Sequence, residues 1–370
     1  MKNITCFTES LCGGGAEHQM VILAGMLAEK GYNVKIVTYA SLPDHYDTPD
    51  NVKRVDIGST HVKTKVIKSF VKAIKCFHYF LWHKTDCVIA YRQCANLRVL
   101  PPMFFRCKKK VKVICSDRNA STFLSFRHKI LLKALYRRAD YIVPNSQTET
   151  DFIVSHNQKL KHKVRTIHNY TDLTQFTAKE TPCDLSVIKV VIFSRYSNQK
   201  NPLGFAKAIK KLKIRASHPF EIHWYGTQEG NINGYNKEYL AMRNFVDDLE
   251  IDDVLKLKPA VKNPSILMNN YHAVCLPSLY EGFSNSIAEG ISSGKPMLVS
   301  DISDNSLMVH DSVNGFLFNP KDEDSICEAF LKFFELNYDE IVSMSHCSRE
   351  IAENLFNKES FIQQYITLID

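Results

Sequence analysis

Short apolar runs recur along the chain, and amphipathic or polar stretches lie between them. In the first half the runs are Asn3–Phe7, Val34–Tyr39, Cys87–Ala90, Val111–Cys115, Tyr141–Val143 and Val164–Ile167. In the second half they are Ile188–Phe193, Glu221–Tyr225, Val254–Leu257, Ala273–Leu276 and Met297–Val299. Turn residues or a helical pattern follow each run, with Pro277, Pro296 and Gly226 at the edges. This alternation predicts two α/β domains, each built on a parallel sheet. The polar stretch Tyr170–Ser186 contains Pro182 and precedes a fresh strand, so the boundary falls there. The expected domains are residues 1–175 and 176–353, with a helical pattern over 354–370.

Length agrees with this division, because 370 residues are too many for one ordinary core. An apolar content of 45% with 23% charged residues is that of a soluble globular protein. No apolar stretch approaches the roughly 18 residues of a membrane span. Met1–Phe7 reads as a first strand and not as a signal peptide. The eleven cysteines include no C-x-x-C pair, and Cys6, Cys115 and Cys275 lie inside strand runs as small hydrophobes. That usage points to a reducing, cytoplasmic setting without a zinc site.

Charge changes the picture more. The net +8 divides into +15 over residues 1–175 and −7 over residues 176–370. Lys63, Lys65, Lys68, Lys72 and Lys75 alternate with Val62, Val66, Ile67, Phe70, Val71, Ile74, Phe77 and Phe80. Arg106, Lys108, Lys109, Lys110 and Lys112 follow Met103-Phe104-Phe105, and a third basic segment runs from Arg127 to Arg138. Such elements suit an anionic membrane surface. They equally describe surface helices whose apolar faces pack on a sheet. Nucleic acid is the other polyanion a basic half could meet, but the basic runs lack a stacking platform or a known binding motif.

The candidate chemistry centres on Glu281 and Glu289, separated by seven residues. The buried run Ala273–Leu276 precedes them and a helix starts after Ser284. One carboxylate lies on the strand-to-helix turn and the other in the first helical turns. A helix N-terminus favours anions, so the arrangement suits a sugar nucleotide: carboxylates for hydroxyls, amides for diphosphate. Ser286-x-x-Glu289 also reads as a capping box, in which Glu289 only satisfies a backbone N–H. Arg195 ends a strand and Lys200 precedes a helix begun by Pro202, a pairing suited to diphosphate or to a solvated loop. Gly13-Gly14-Gly15-Ala16-Glu17 joins the first strand to a helix. It lacks the further residues of a P-loop or of a nicotinamide site. Asp322-Glu323-Asp324 has the D-x-D form of a metal motif, but it opens a helix, where acids are expected anyway.

Taken in order, Gly13–Glu17, Asn169-Tyr170-Thr171-Asp172 ahead of Phe176, Arg195 with Lys200, Glu281 to Glu289 and Asp311–Leu317 resemble the family 4 retaining glycosyltransferases of the GT-B fold. The resemblance covers nearly the whole chain. Tyr280-Glu281-Gly282-Phe283-Ser284-Asn285 is similar to enzymes of bacterial capsule, O-antigen and related surface glycans. The resemblance implies two Rossmann-like domains facing a cleft, with the C-terminal helix over 354–370 packing back on the first domain, a nucleotide-sugar donor and a glycan or polyprenyl-linked acceptor. It implies Glu281 on the donor sugar, Glu289 on the ribose, and Arg195 and Lys200 on the diphosphate. Backbone N–H groups around Phe283, Ser284 and Asn285, with Gly14 and Gly15, would complete the anion site. No metal or other cofactor is implied. Family members often carry a His after a central strand of the first domain. Here the stretch is Val113–Asn119 and holds none, so Asp117 or Arg118 is the acceptor-side candidate, or the two form a local ion pair. The expected function is retaining glycosyl transfer for a surface polysaccharide, at the inner face of the plasma membrane and without nucleic acid. The alternatives are another GT-B activity, such as a sugar-nucleotide epimerase or a phosphorylase, and a basic nucleic-acid-binding protein.

Overall fold

The computed structural model describes residues 1–370 apart from 13, 59–63, 107–110, 119–124, 180–181 and 233. Of the predicted features, Gly13, Val62, Lys63, Lys108, Lys109, Lys110 and Asn119 lie outside the described residues. Contacts divide the chain into two compact units, Met1–Tyr170 with Lys358–Asp370, and Thr171–Asn357.

The first unit holds six strands: β1 (Asn3–Thr8), β2 (Asn33–Thr38), β3 (Lys53–Asp56), β4 (Cys87–Tyr91), β5 (Lys112–Asp117) and β6 (Tyr141–Pro144). All pair in parallel, in the order β3-β2-β1-β4-β5-β6. Helices α1 (Gly15–Glu29), α2 (Lys65–Trp82), α3 (Gln93–Met103), α4 (Phe126–Ile130) and α5 (Gln147–His156) connect them. Every residue of β4 is buried, which is why it reads as a continuous apolar run.

The second unit repeats the plan with β7 (Ile188–Phe193), β8 (Phe220–Gly226), β10 (Leu255–Pro259), β11 (Ala273–Leu276), β12 (Met297–Ser300) and β13 (Gly315–Phe318). The order is β10-β8-β7-β11-β12-β13, again parallel, and β9 (Glu229–Ile232) stands outside the sheet. Its helices are α6 (Pro202–Arg215), α7 (Lys237–Asp248), α8 (Pro264–Met268), α9 (Asn285–Ser292), α10 (Glu323–Phe334) and α11 (Tyr338–Leu355). The last helix, α12 (Lys358–Ile369), belongs to the first unit. There it buries Phe361, Ile362, Tyr365, Leu368 and Ile369. Both sheets are doubly wound, with strand order reversing between β1 and β4 and between β7 and β11. In such sheets ligands sit outside the carboxyl ends of the strands at the reversal.

Two differences from the sequence reading have physical causes. Val164–Ile167 is not a strand. It makes one bridge, Ile142 to Val164, with Arg165 and Ile167 donating to Ile142 and Pro144 carbonyls. Proline at 144 has no N–H to return, so the ladder stops. Conversely, Lys53–Asp56 and Gly315–Phe318 are sheet strands. Lys-Arg-Val-Asp sits at the sheet edge, where no apolar run is needed.

Among the described residues no helix is long and apolar enough to cross a membrane. The ten described cysteines are free thiols, and Cys6, Cys115 and Cys275 are buried. Burial pushes the Cys6 thiol up to about 12.

Candidate active site

The reversal between β7 and β11 gathers most of the residues singled out in the second half. The chain leaves β7 through Ser194, whose carbonyl accepts from Trp224 Nε1 at 3.0 Å. Tyr196 then plunges into the core, and its hydroxyl donates to the Trp224 and Lys258 carbonyls at 2.8 and 3.0 Å. Pinned on both sides, Arg195 is exposed, and its guanidinium has no protein partner among the described residues. The loop ends at Asn201, a left-handed residue at φ 56° whose side-chain amide donates to the Pro320 carbonyl at 2.7 Å. Pro202 then starts α6 at the position where its missing N–H costs nothing.

Lys200 forms an ion pair with Glu281, and both side chains are largely buried. Gln199 ties the same two loops together. Its carbonyl accepts from Leu279 N at 2.8 Å, and its side chain donates to Tyr280 O at 3.0 Å and Glu281 Oε2 at 3.4 Å. The structure thus brings Lys200 and Glu281 into contact across 81 residues of sequence. Ser286 Oγ donates to the Phe193 carbonyl at 3.0 Å, which fixes the start of α9 against the end of β7.

Helix α9 is capped by Ser284, whose Oγ accepts from Ile287 N. That replaces the capping box at Ser286–Glu289: Ser286 is already inside the helix and its hydroxyl is spent on Phe193. The Glu289 carboxylate has no hydrogen-bond partner among the described residues. The side chain keeps some solvent contact, yet the protein packed around its carboxyl pushes the pKa up to about 8. A carboxyl held at such cost without a partner is a functional-site signal. Phe283 is a core residue, its ring edge-on to Phe356 at 6.3 Å, so only its backbone is left for a ligand. Asp322 caps α10, with its Oδ1 accepting from Asp324 N, and Lys211 pairs with Glu323 and Asp324. An open hollow of about 670 Å³ lies at the carboxyl ends of β12 and β13, lined in part by Asp301, Asn319 and Lys321. Leu279 borders it, but Arg195, Lys200, Glu281 and Glu289 do not line it.

In the first unit, Gly14 precedes α1 and Gly15 begins it. A Cβ on Gly14 would lie 2.4 Å from Glu17 Oε2. Glu17 is buried and accepts from Arg92 Nη1 at 2.8 Å. Arg92 links β4 to α3 in the left-handed region, at φ 77°. The ion pair therefore joins the first turn of α1 to the loop after β4, at the strand reversal. Sequence reasoning missed Arg92, which stands in no motif.

Asp117 and Arg118 are both buried and do not pair with each other. Asp117 accepts from Tyr136 OH at 2.5 Å and Asn96 Nδ2 at 3.1 Å. Burial pushes its carboxyl up to about 6 against the pull of those hydrogen bonds. Arg118 donates to Ser116 Oγ at 2.7 Å, Asn169 Oδ1 at 2.5 Å, Tyr91 OH at 2.9 Å and Tyr365 OH. Its guanidinium also lies over the Tyr91 ring at 4.4 Å. Both residues are thus engaged in holding the unit together, and the local ion pair is corrected to two separate networks. Beside them, Gln19 brackets Tyr170, donating to its carbonyl at 2.7 Å and accepting from its N–H at 2.9 Å. The Asn169-Tyr170 motif is therefore anchored where the chain leaves the first unit.

The structure also gathers His128 and Glu149 beside Asp117, all three buried, with potential ligand atoms within 4.8 Å of one another. By residue type the trio could ligate a divalent cation. Protein groups already engage them, however: Ser125 and Gln93 on the His128 ring, Tyr136 and Asn96 on Asp117. The trio closes the carboxyl ends of β5 and β6 as a hydrogen-bonded plug. The basic segment Arg127–Arg138 serves the same packing, with Leu131, Leu132 and Tyr136 in the core.

Comparison with known proteins bears on the family and the fold. A family profile described as "Glycosyltransferase Family 4" matches residues 13–175, and one described as "Glycosyl transferases group 1" matches residues 176–350. A UDP-Gal:alpha-D-GlcNAc-diphosphoundecaprenol alpha-1,3-galactosyltransferase of Escherichia coli is 28% identical over 53% of this chain and 51% of its own length. An uncharacterized glycosyltransferase of Methanocaldococcus jannaschii is 22% identical over 64% of this chain and 60% of its own. The chain thus spans little more than half the length of these curated relatives. Anabaena HepE, solved with UDP and glucose, superposes with a TM-score of 0.79 at 17% identity, covering 99% of each chain. The two doubly wound sheets are the GT-B architecture, and the chain belongs to the group 1 glycosyl transferases of glycosyltransferase family 4.

Proposed function

We propose that this chain is a retaining glycosyltransferase that moves a sugar from a nucleotide sugar to a glycan or polyprenyl-linked acceptor in bacterial surface-polysaccharide synthesis. The observation that carries the donor site is the convergence of Arg195, Lys200, Glu281 and the unpartnered Glu289 on one strand reversal. The Escherichia coli relative, named for a UDP-sugar donor and a diphosphoundecaprenol-linked acceptor, supports the same substrate classes. Glu281 would hold donor-sugar hydroxyls and Glu289 the ribose hydroxyls. Arg195 and Lys200 would hold the diphosphate, with backbone N–H groups at the start of α9.

In the transfer step the acceptor hydroxyl oxygen bonds to the anomeric carbon as the bond from that carbon to the diphosphate oxygen breaks. The diphosphate leaves with the electron pair and takes the acceptor proton on the same face, which retains configuration. Arg195 and Lys200 offset the growing charge, the part of such a reaction where fixed cations contribute most. They take the place a metal ion would fill at the diphosphate. Lys200 enters already aimed by Glu281, so little side-chain freedom is lost on binding. The enzyme would work in the cytoplasm at the inner face of the plasma membrane.

Calorimetry with UDP tests the diphosphate assignment. The Arg195→Ala/Lys200→Ala double variant should bind UDP at least about a hundredfold more weakly, as expected when two charge-assisted contacts are lost. Unchanged affinity for UDP and for other nucleoside diphosphates would remove both residues from the site. Nuclear magnetic resonance of the product's anomeric signal checks retention separately.

A further inference from the structure

Three arginines gather around Cys94 in the first unit, and two of them have no acid to answer them. Cys94 stands in the first turn of α3, just past the end of β4. Arg98 Nη1 donates to its carbonyl at 2.9 Å, and Arg127 Nη1 donates to its Sγ at 3.0 Å. Arg92 caps the same helix in the left-handed region that residues other than glycine seldom adopt. Glu17 neutralises Arg92. Arg98 and Arg127 pair with no carboxylate among the described residues. The Arg98 guanidinium lies over the Tyr39 ring at 4.3 Å, which fixes its plane. Arg98 Nε and the Tyr39 hydroxyl are enclosed without a hydrogen-bond partner among the described residues. Lys72 of α2 lies within electrostatic reach. Burial holds its ammonium below the ordinary lysine pKa, Lys68 and Arg98 push the same way, and Glu9 and Asp56 oppose them. Arg98 and Arg127 therefore carry the uncompensated charge. Helix α3 begins with no side-chain cap and no acid in its first turn, so its N–H groups add to the positive field.

We propose that Arg98 and Arg127, with Lys72 behind them, bind the diphosphate of a prenyl-linked acceptor at the β1–β4 reversal of the first unit. The inference deepens the polyprenyl-linked acceptor reading and rests on it. A planar guanidinium meets two phosphate oxygens at once, and one already fixed on a ring loses little freedom in doing so. In a doubly wound sheet the place for a ligand is outside the strand ends at the reversal, where Arg92 and Cys94 lie. The donor diphosphate has its own cations in the second unit, Arg195 and Lys200, so these arginines answer a second anion. The +15 carried by residues 1–175 draws such an anion toward this unit.

The test is calorimetry on the full chain saturated with UDP, which fills the donor's own anion site. Geranyl diphosphate is the probe, with geraniol and inorganic pyrophosphate beside it. Geranyl diphosphate should bind, more weakly as salt rises, and geraniol should not. Arg127 is exposed, so Arg127→Gln leaves the fold intact. It should weaken geranyl diphosphate binding about tenfold, as the loss of one charge-assisted contact predicts. Arg127→Lys should recover part of that loss through charge alone. Arg98→Gln should weaken binding as much, with the melting temperature followed because the contact with Tyr39 goes too. UDP affinity should match wild type in every variant. No geranyl diphosphate binding, binding indifferent to Arg127→Gln, or binding of inorganic pyrophosphate alone would overturn the proposal, the last marking a site for a free anion. Absence of UDP binding in the wild type would count against the transferase reading. UDP binding beside absent geranyl diphosphate binding would count only against this acceptor site.

Discussion

Glu289 makes the donor site's electrostatics measurable without substrate. Its carboxyl titrates near 8 in the folded protein against 4.5 for an ordinary glutamate, because burial disfavours the charged form. Between those values the folded chain binds a proton that the unfolded chain has released. Stability from this group is therefore present below about pH 4.5, is lost as pH rises, and stops falling above about pH 8. Glutamine mimics the neutral carboxyl. Glu289→Gln should match wild type near pH 5 and exceed it near pH 9 by on the order of 2 kcal/mol, less than the full shift since some solvent contact remains. Urea unfolding at the two pH values reads this, and equal stability at both would sink the account. The same variant should bind nucleotide sugar more weakly. The sequence exposed Glu281, Glu289, Arg195 and Lys200 because their chemistry is concentrated in two short segments. It hid Arg92, whose role comes from a left-handed backbone 75 residues from Glu17. It also made Asp117 and Arg118 look available, since burial under Tyr136 and Tyr365 depends on contacts far along the chain.

Loop geometry at the end of β8 decides where Arg195 points. A Cβ on Gly226 would fall 2.5 Å from the Ser194 carbonyl oxygen and 2.8 Å from the Tyr196 ring. The nearer obstacle is backbone and cannot swing away. Gly226→Ala should thus displace Ser194–Tyr196, cost about 1–3 kcal/mol as overpacking does, and weaken UDP binding through a residue that itself offers no side chain. Denaturation paired with calorimetry tests this, and unchanged UDP affinity would show that the loop absorbs the methyl group elsewhere. Gly226 appears in the sequence only as a strand edge. Among elements generally, strands covered on both faces were readable as apolar runs. The edge strand β3 was not, and Val164–Ile167 looked like a strand although Pro144 prevents its ladder. For α2 the apolar spacing was visible, but spacing alone does not say that Cys76 and Phe80 are covered while Val66, Ile67, Phe70 and Ile74 are left exposed.

The division of the molecule is discontinuous in sequence. Arg118 and Tyr365, 247 residues apart, share a buried hydrogen bond. The ion pairs Lys2–Asp370, Lys30–Glu359 and Lys358–Glu29 lie on the surface and add little. The five apolar side chains that α12 buries are the substantial part. A chain ended at Asn357 should keep the second unit's unfolding transition and lower that of the first unit. Hydrogen exchange in β4 and β5 should rise, whereas native protection there would make α12 dispensable. At the scale of the whole chain, the alternating pattern conveyed two parallel sheets and the uneven charge, because both are properties of composition along the sequence. Long-range closure by α12 came only through the family resemblance, since nothing local to residues 358–369 names its seat. On the ribosome this closure inverts the usual order of maturation. The second unit can finish as one contiguous stretch, while the first waits with an apolar seat unfilled. At about 5–20 residues per second the wait is roughly 10–40 s, long enough for a holdase chaperone to become part of this protein's biogenesis.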